Sequence, residues 1–186
     1  MVARADAAAA TRQRIAAAAW AAFAARPYDD VRLADVASEA GVSVQTVHST
    51  FGQKEELFVA AWKWMTRTDR RAKAPVGDVK QAVRLLYDAY ESDGDAVMRL
   101  LAQEDRIPAV REMTDDGRLY QREWVARTFA PLLADMPAAA RRRRHAALIV
   151  ALDLYTWKLL RRDMGLPRAT AERIVIEMIA ATEGAL

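Results

Sequence analysis

The nineteen residues from Leu33 to Phe51, LADVASEAGVSVQTVHSTF, constrain the fold of this chain more than any other stretch. They read as two short helices around a tight turn. Leu33, Val36, Ala37 and Ala40 recur at the spacing of one helical face. Gly41 supplies a residue that accepts positive φ, which suits a helix C-terminus. Val42 is apolar and turns back into the corner. Ser43 is an N-cap for the second helix, its hydroxyl available to an orphan backbone N–H. On that helix Val47 and Phe51 are spaced to face the first helix, which leaves Val44, Gln45, His48 and Ser49 pointing outward. This is the layout of a helix-turn-helix, whose second helix enters the major groove of DNA.

Charge supports a polyanionic partner for this part of the chain. Residues 1–73 carry 11 Lys/Arg against 8 Asp/Glu, whereas residues 74–186 carry 17 of each, so the net +3 sits with the helix-turn-helix. Few glycines and prolines and many alanines favour an all-helical fold. The absence of cysteine excludes disulfides, thiolate metal sites and thiol redox chemistry. No secretory pattern is seen in MVARADAAAATRQR, and the apolar runs, Ile15 to Ala25 and Ala146 to Leu152 among them, are far below the ~20 residues that span a bilayer. A soluble, cytoplasmic protein is expected. The two histidines, His48 and His145, lie apart, and no phosphate-binding glycine loop or metal-spaced cluster appears. The chain is therefore expected to be no enzyme and to hold no cofactor or metal.

The remaining pattern predicts about nine helices. The first runs from about Ala8 to Ala25, with Ile15, Ala18, Ala19, Ala22 and Phe23 buried, and Arg26-Pro27 ends it. Helix 4 covers about Lys54 to Arg71, and Lys73 to Gly77 is a break. Helix 5 starts at Asp78, which with Gln81 resembles a capping box. Ser92 to Asp95 reads as a turn before helix 6, and Pro108 and Asp116-Gly117 interrupt the region beyond that helix. Helix 7 is expected from about Leu119 to Ala134, with Pro131 inside it. Helix 8 is expected from about Pro137 to Met164, and helix 9 from about Arg168 to Glu183. The middle of helix 8, AALIVALDLYTWKLL, is apolar nearly all round, so it must be covered both by its own core and by a partner. Arg141 to Arg144 oppose the dipole at its start and read as a solvated face.

From Ile15 to Leu57 the chain resembles the TetR/AcrR family of bacterial transcriptional regulators. The resemblance rests on Ala19 and Phe23, Tyr28, Asp35-Val36-Ala37, Ala40-Gly41-Val42-Ser43, Thr46, Phe51, and Lys54-Glu55 with Leu57, all in register. It implies an N-terminal three-helix DNA-binding domain (1–53), a connecting helix 4 (54–74), and a C-terminal ligand-binding and dimerisation domain (75–186). Val44, Gln45, His48 and Ser49 are expected to meet bases, Gln45 suiting adenine and Val44 a thymine methyl. Thr46 and Lys54, with Arg32, are expected on phosphate. Three positions depart from the family habit: Arg32 where a capping Ser or Thr is usual, His48 for a common Tyr, and Thr50 for a His or Tyr.

The resemblance further implies a small-molecule pocket, with Trp62, Met65, Tyr87, Met98, Leu101, Trp124 and Tyr155 as lining candidates; each also suits a packed core. The last two long helices would pair with their twins in a homodimer, with Leu148, Leu152, Asp153, Trp157, Ile174 and Met178 at the interface. Asp153 suits either an arginine across the dimer or a cationic ligand. The expected function is a ligand-responsive regulator, a repressor by family habit, that binds an inverted repeat and is released by a small effector. The alternative is a helical homodimer that senses a ligand or partner protein without tight DNA binding.

Overall fold

The computed structural model describes residues 2–184 and is helical throughout, with no strand among the described residues. The helices are α1 (Val2–Ala25), α2 (Leu33–Ala40), α3 (Val44–Phe51), α4 (Lys54–Arg67) and α5 (Val79–Leu101). Beyond them lie α6 (Pro108–Thr128), α7 (Ala130–Leu133), α8 (Ala138–Ala151), α9 (Leu154–Lys158) and α10 (Arg168–Gly184). Short 3-10 turns occupy Tyr28–Asp30 and Arg70–Lys73, and a π turn occupies Leu159–Asp163. None of the described helices is long and apolar enough to cross a membrane.

The chain forms two compact units. One takes the chain up to Asp69 together with Ala96–Asp115. Its core is aromatic. Phe23 stacks on Tyr28 at 5.5 Å, and Phe58 meets both edge-on, at 4.8 and 5.2 Å. Trp20 and Trp62 lie 6.1 Å apart. Ile15 and Ala19 from α1, Val36 from α2, Val47 from α3 and Leu57 from α4 are fully buried. Leu100, Ile107, Val110 and Met113 complete the same cluster. Polar contacts fasten this second segment down: Gln103 Oε1 accepts from the Tyr28 amide at 3.0 Å, Arg99 donates to the Ala24 carbonyl, and Arg106 pairs with Asp29.

The other unit holds Arg70–Asp95 and the chain from Asp116 onward. Trp124 meets Phe129 edge-on at 5.7 Å, and Tyr90 lies 5.8 Å from Trp157. Leu86, Leu148, Val175 and Ile179 are buried with them. A charged lattice covers one side. Glu91 accepts from Arg161 at 2.5 Å and from the Trp157 indole at 3.1 Å, and Asp95 pairs with Arg162 at 3.0 Å. Arg168 reaches Asp88 at 2.7 Å and Glu172 at 2.6 Å. Burial pushes the Glu91 carboxyl up, but the hydrogen bonds from Arg161 and Trp157 outweigh it and hold the group below its ordinary range.

Several element boundaries differ from those the sequence predicts. The start of α5 agrees: Asp78 Oδ1 accepts from the Gln81 amide at 2.9 Å. The expected turn at Ser92–Asp95 does not form, and α5 runs through it unbroken. Gly94 is there for packing. A Cβ on it would lie 2.7 Å from the Trp157 ring, so the indole rests directly on the helix backbone. Asp116-Gly117 likewise lies inside α6. Pro131 sits in the first turn of α7, where its missing N–H costs nothing. The predicted helix from Pro137 to Met164 is broken at Leu152–Asp153, where the Asp153 carboxylate caps α9 by accepting from the Tyr155 amide at 2.8 Å. Helix α1 starts earlier than predicted, and α4 ends earlier.

Candidate nucleic-acid interface

The turn between α2 and α3 is closed by backbone geometry that Gly41 makes available. Gly41 is left-handed (φ 65, ψ 40); its amide donates to the Ser38 carbonyl at 3.2 Å and the next amide, of Val42, to Ala37 at 3.0 Å. This is a Schellman closure, and it turns the chain sharply toward α3. Ser43 then caps α3 as its side chain implies, its Oγ accepting from the Thr46 amide at 3.0 Å. At Arg32 no side-chain cap forms on α2, the consequence of a side chain without an acceptor.

α3 is fastened from inside. Val47 is fully buried and Phe51 nearly so. The Arg12 guanidinium of α1 donates to the Thr50 carbonyl at 2.8 Å and lies 4.3 Å over the Phe51 ring. A cation on the last carbonyls of a helix opposes the negative end of its dipole. Sequence reasoning missed this role of Arg12. The pair Arg12 and Phe51 is far apart in the chain, and no local signal joins them.

The outer face of α3 carries Val44, 46% exposed, with exposed Gln45, His48 and Ser49. Gln45 and His48 make no side-chain hydrogen bond among the described residues, so their polar ends are free for a ligand. Ser49 differs, because its hydroxyl donates to the Thr46 carbonyl at 3.2 Å. Thr46 is half-buried with its Oγ1 2.8 Å from Ser43 Oγ, and Thr50 Oγ1 donates to the Thr46 carbonyl at 2.6 Å. The Thr46 hydroxyl is thus engaged in the cap before any partner arrives. Arg32 is exposed and forms no ion pair among the described residues.

Lys54 opens α4, but its Nζ folds back. It donates to the Asp29 carbonyl at 3.1 Å and lies 4.6 Å over the Tyr28 ring. Burial pulls its pKa down, against the raising effect of Asp29, Glu55 and Asp30. Burial in turn pushes the Tyr28 phenol up to about 12, with the Glu55 carboxylate adding to the shift. A phosphate contact from Lys54 requires the ammonium to leave this seat.

The remaining predicted site residues are divided between the two units. Trp62 and Met65 pack in the aromatic core of the first unit, and Met98 and Leu101 are half-buried there. An open groove of about 360 Å³ in that unit is lined by other residues, Arg12, Val59, Ala60 and Lys63 among them. In the second unit Tyr87 and Trp124 are buried; the Trp124 indole donates to the Arg71 carbonyl at 2.9 Å, while the Tyr87 hydroxyl has no partner among the described residues. Tyr155 is 56% exposed, which takes it out of any enclosed space in its own unit.

Of the six dimer candidates, Leu148, Leu152 and Trp157 are buried in the chain's own core and have no surface to offer a partner. An apolar helix does not disclose which of its sides its own core takes. Asp153 and Ile174 are half-buried, and Met178 is exposed. The apolar side chains left uncovered in this unit include Val150, Tyr155, Leu159 and Met164, each more than half exposed. Among the described residues no group of three His, Cys, Asp or Glu side chains is placed to hold a metal.

Residues 15–61 match the family model of bacterial regulatory proteins of the tetR family. Among solved structures, a transcriptional regulator from Rhodococcus sp. Rha1 is similar at a TM-score of 0.69 and 18% identity, over 92% of this chain and 95% of that one. At that identity the likeness is one of fold. No curated protein matches the sequence.

Proposed function

We propose that the chain, whose residues 15–61 match the tetR family of bacterial regulatory proteins, is a DNA-binding regulator of transcription of that family: a cytoplasmic, non-enzymatic repressor that binds an inverted repeat as a dimer and is released by a small-molecule effector. The observation that carries this reading is the outer face of α3. A capped, rigidly seated helix presents Val44, Gln45 and His48 with unengaged ends. Those groups suit base edges: a bidentate amide for adenine, a methyl pair for thymine, and an imidazole for a purine acceptor or a phosphate. Ser49 joins them by exchanging its bond to Thr46. Thr46 sits in the first turn of the helix, Arg32 is an exposed guanidinium just ahead of α2, and Lys54 completes the set by swinging off Asp29.

The exposed Val150, Leu159, Met164 and Met178 supply the apolar surface on which a second copy closes. Two recognition helices then stand about 34–36 Å apart, one turn of DNA. An effector releases such a dimer by binding better to a geometry that no longer matches the operator.

Selection of bound sequences from a random duplex pool at moderate salt tests the reading. A palindromic motif with half-sites about one turn apart is expected. Salt-sensitive, sequence-blind retention would remove the operator from the proposal and favour a sensor that acts without tight DNA binding.

A further inference from the structure

The chain leaving α4 passes at once through Arg71, which is held unusually firmly. Its backbone carbonyl accepts from the Trp124 indole at 2.9 Å, and its guanidinium lies 5.2 Å over the Tyr120 ring and 5.7 Å over Tyr90. Its Nη1 donates to Gln121 Oε1 at 2.9 Å. Gln121 is one of few buried polar side chains, and the other end of its amide donates to the Leu152 carbonyl at 2.9 Å. That carbonyl also accepts from the Tyr90 hydroxyl at 3.0 Å. The orientation of the Gln121 amide is forced, because a guanidinium only donates and a carbonyl only accepts.

Leu152 stands where α8 stops and α9 has not begun. Its carbonyl lies outside the regular ladder and is therefore available to side chains. If the break straightens or shifts, Gln121 loses its acceptor. A buried amide is costly to leave unpaired, so it must turn, and in turning it gives up its bond to Arg71, whose seat beside Trp124 then shifts.

We infer that Gln121 is a positioning residue that makes the α8–α9 break and the Arg71 anchor one mechanical element, so that a change at the break reaches the chain leaving α4. This rests on the reading of the protein as an effector-released DNA binder, and it identifies the link such release would use.

The test has two arms. In the first, Asp153→Ala loosens the start of α9, and the Trp124 indole N–H resonance, assigned by its loss in Trp124→Phe, reports on Arg71. In the wild-type background the resonance moves. In a Gln121→Glu background, which keeps an acceptor for Arg71 but loses the donor to Leu152, the movement is largely abolished. Equal movement in both backgrounds, or movement in neither, overturns the inference. Gln121→Met, which keeps the volume and loses both bonds, gives the same reading if the Glu variant does not fold.

In the second arm, affinity is measured on the selected operator with its half-site spacer lengthened and shortened. Gln121→Glu shifts or broadens the optimum spacing. An unchanged profile from a folded variant denies the link to DNA, because a merely stabilising side chain alters affinity at all spacings alike. Failure of the wild-type protein to select any sequence defeats the DNA reading instead, and the resonance arm still decides whether Gln121 couples the two places.

Discussion

Gln45, exposed, and Lys54, half-buried, show how differently two polar residues of one motif can stand. Gln45 is unengaged, so Gln45→Ala leaves the fold untouched. It is expected to cost about 1–3 kcal/mol of discrimination at one base pair in each half-site, with non-specific affinity and salt dependence unchanged. Binding isotherms on operators substituted at each position check this. Lys54 must exchange the Asp29 carbonyl and the Tyr28 ring for a phosphate. Lys54→Ala is expected to weaken all sequences alike and to reduce the salt slope by about one phosphate contact. A slope equal to that of the wild type would mean that the ammonium keeps its seat in the complex. Two phenols set the alkaline limit. Burial pushes Tyr28 and Tyr87 up to about 12, with Glu55 and Glu172 respectively adding to it. Folding therefore holds their protons longer than the unfolded chain does, whose phenols ionise near the ordinary 10.0. Their stabilisation is complete below that pH and is lost as pH rises toward 12. The part of the phenolate absorbance that is lost in Tyr28→Phe with Tyr87→Phe should appear together with the loss of helical ellipticity over that window, and the double substitution should move the midpoint upward. If that part appears near the ordinary pKa with the helices intact, the burial of the two phenols is contradicted.

Among the helices, α5 and the α8–α9 pair carry the informative departures. Gly94 lowers the helix propensity of α5 and looks like a turn residue, yet the helix continues. Gly→Ala in a helix interior ordinarily stabilises by about 0.5–1 kcal/mol. Here the new Cβ would meet the ring of buried Trp157 at 2.7 Å, and an indole inside a core has little room to retreat. Gly94→Ala is therefore expected to destabilise by about 1–3 kcal/mol. Chemical denaturation measures it, and a gain in stability would mean that Trp157 is free to shift. The break at Leu152–Asp153 has a local cause in the Asp153 cap and a distant one in the bonds that Tyr90 and Gln121 make to Leu152. A carboxylate within an apolar run reads as a partner-seeking charge. In the folded chain part of its work is to start a helix.

Assembly depends on which apolar residues the monomer leaves uncovered. Leu159 is 51% exposed, whereas Leu152 is 1% exposed. Leu159→Glu is expected to leave helicity and melting nearly unchanged and to shift sedimentation toward the monomer. Leu152→Asp is expected to unfold the chain, since it buries a charge without a partner and costs several kcal/mol. Analytical ultracentrifugation with circular dichroism separates the two outcomes. An intact dimer in Leu159→Glu would place the interface on another face. Loss of the dimer should also lower operator affinity steeply, because two half-sites would no longer be held by one molecule.

The helix-turn-helix was legible in the residues because everything that makes it is local. The spacing of Val36, Ala37, Val47 and Phe51, the glycine at position 41 and the Ser43 cap act over a few residues of chain, and periodicity and capping rules register such signals. The same logic read the start of α5 correctly from Asp78 and Gln81. It failed where the deciding partner is remote. Gly94 is understood only beside Trp157, Arg12 only beneath Phe51, and Gln121 only between Arg71 and Leu152. Nor does an all-apolar helix say which of its faces turns inward, because hydrophobicity has magnitude at each residue but no address. That direction, and with it the difference between Leu152 and Leu159, comes from how the helices pack, where burial of one face against a particular neighbour is what lowers the free energy.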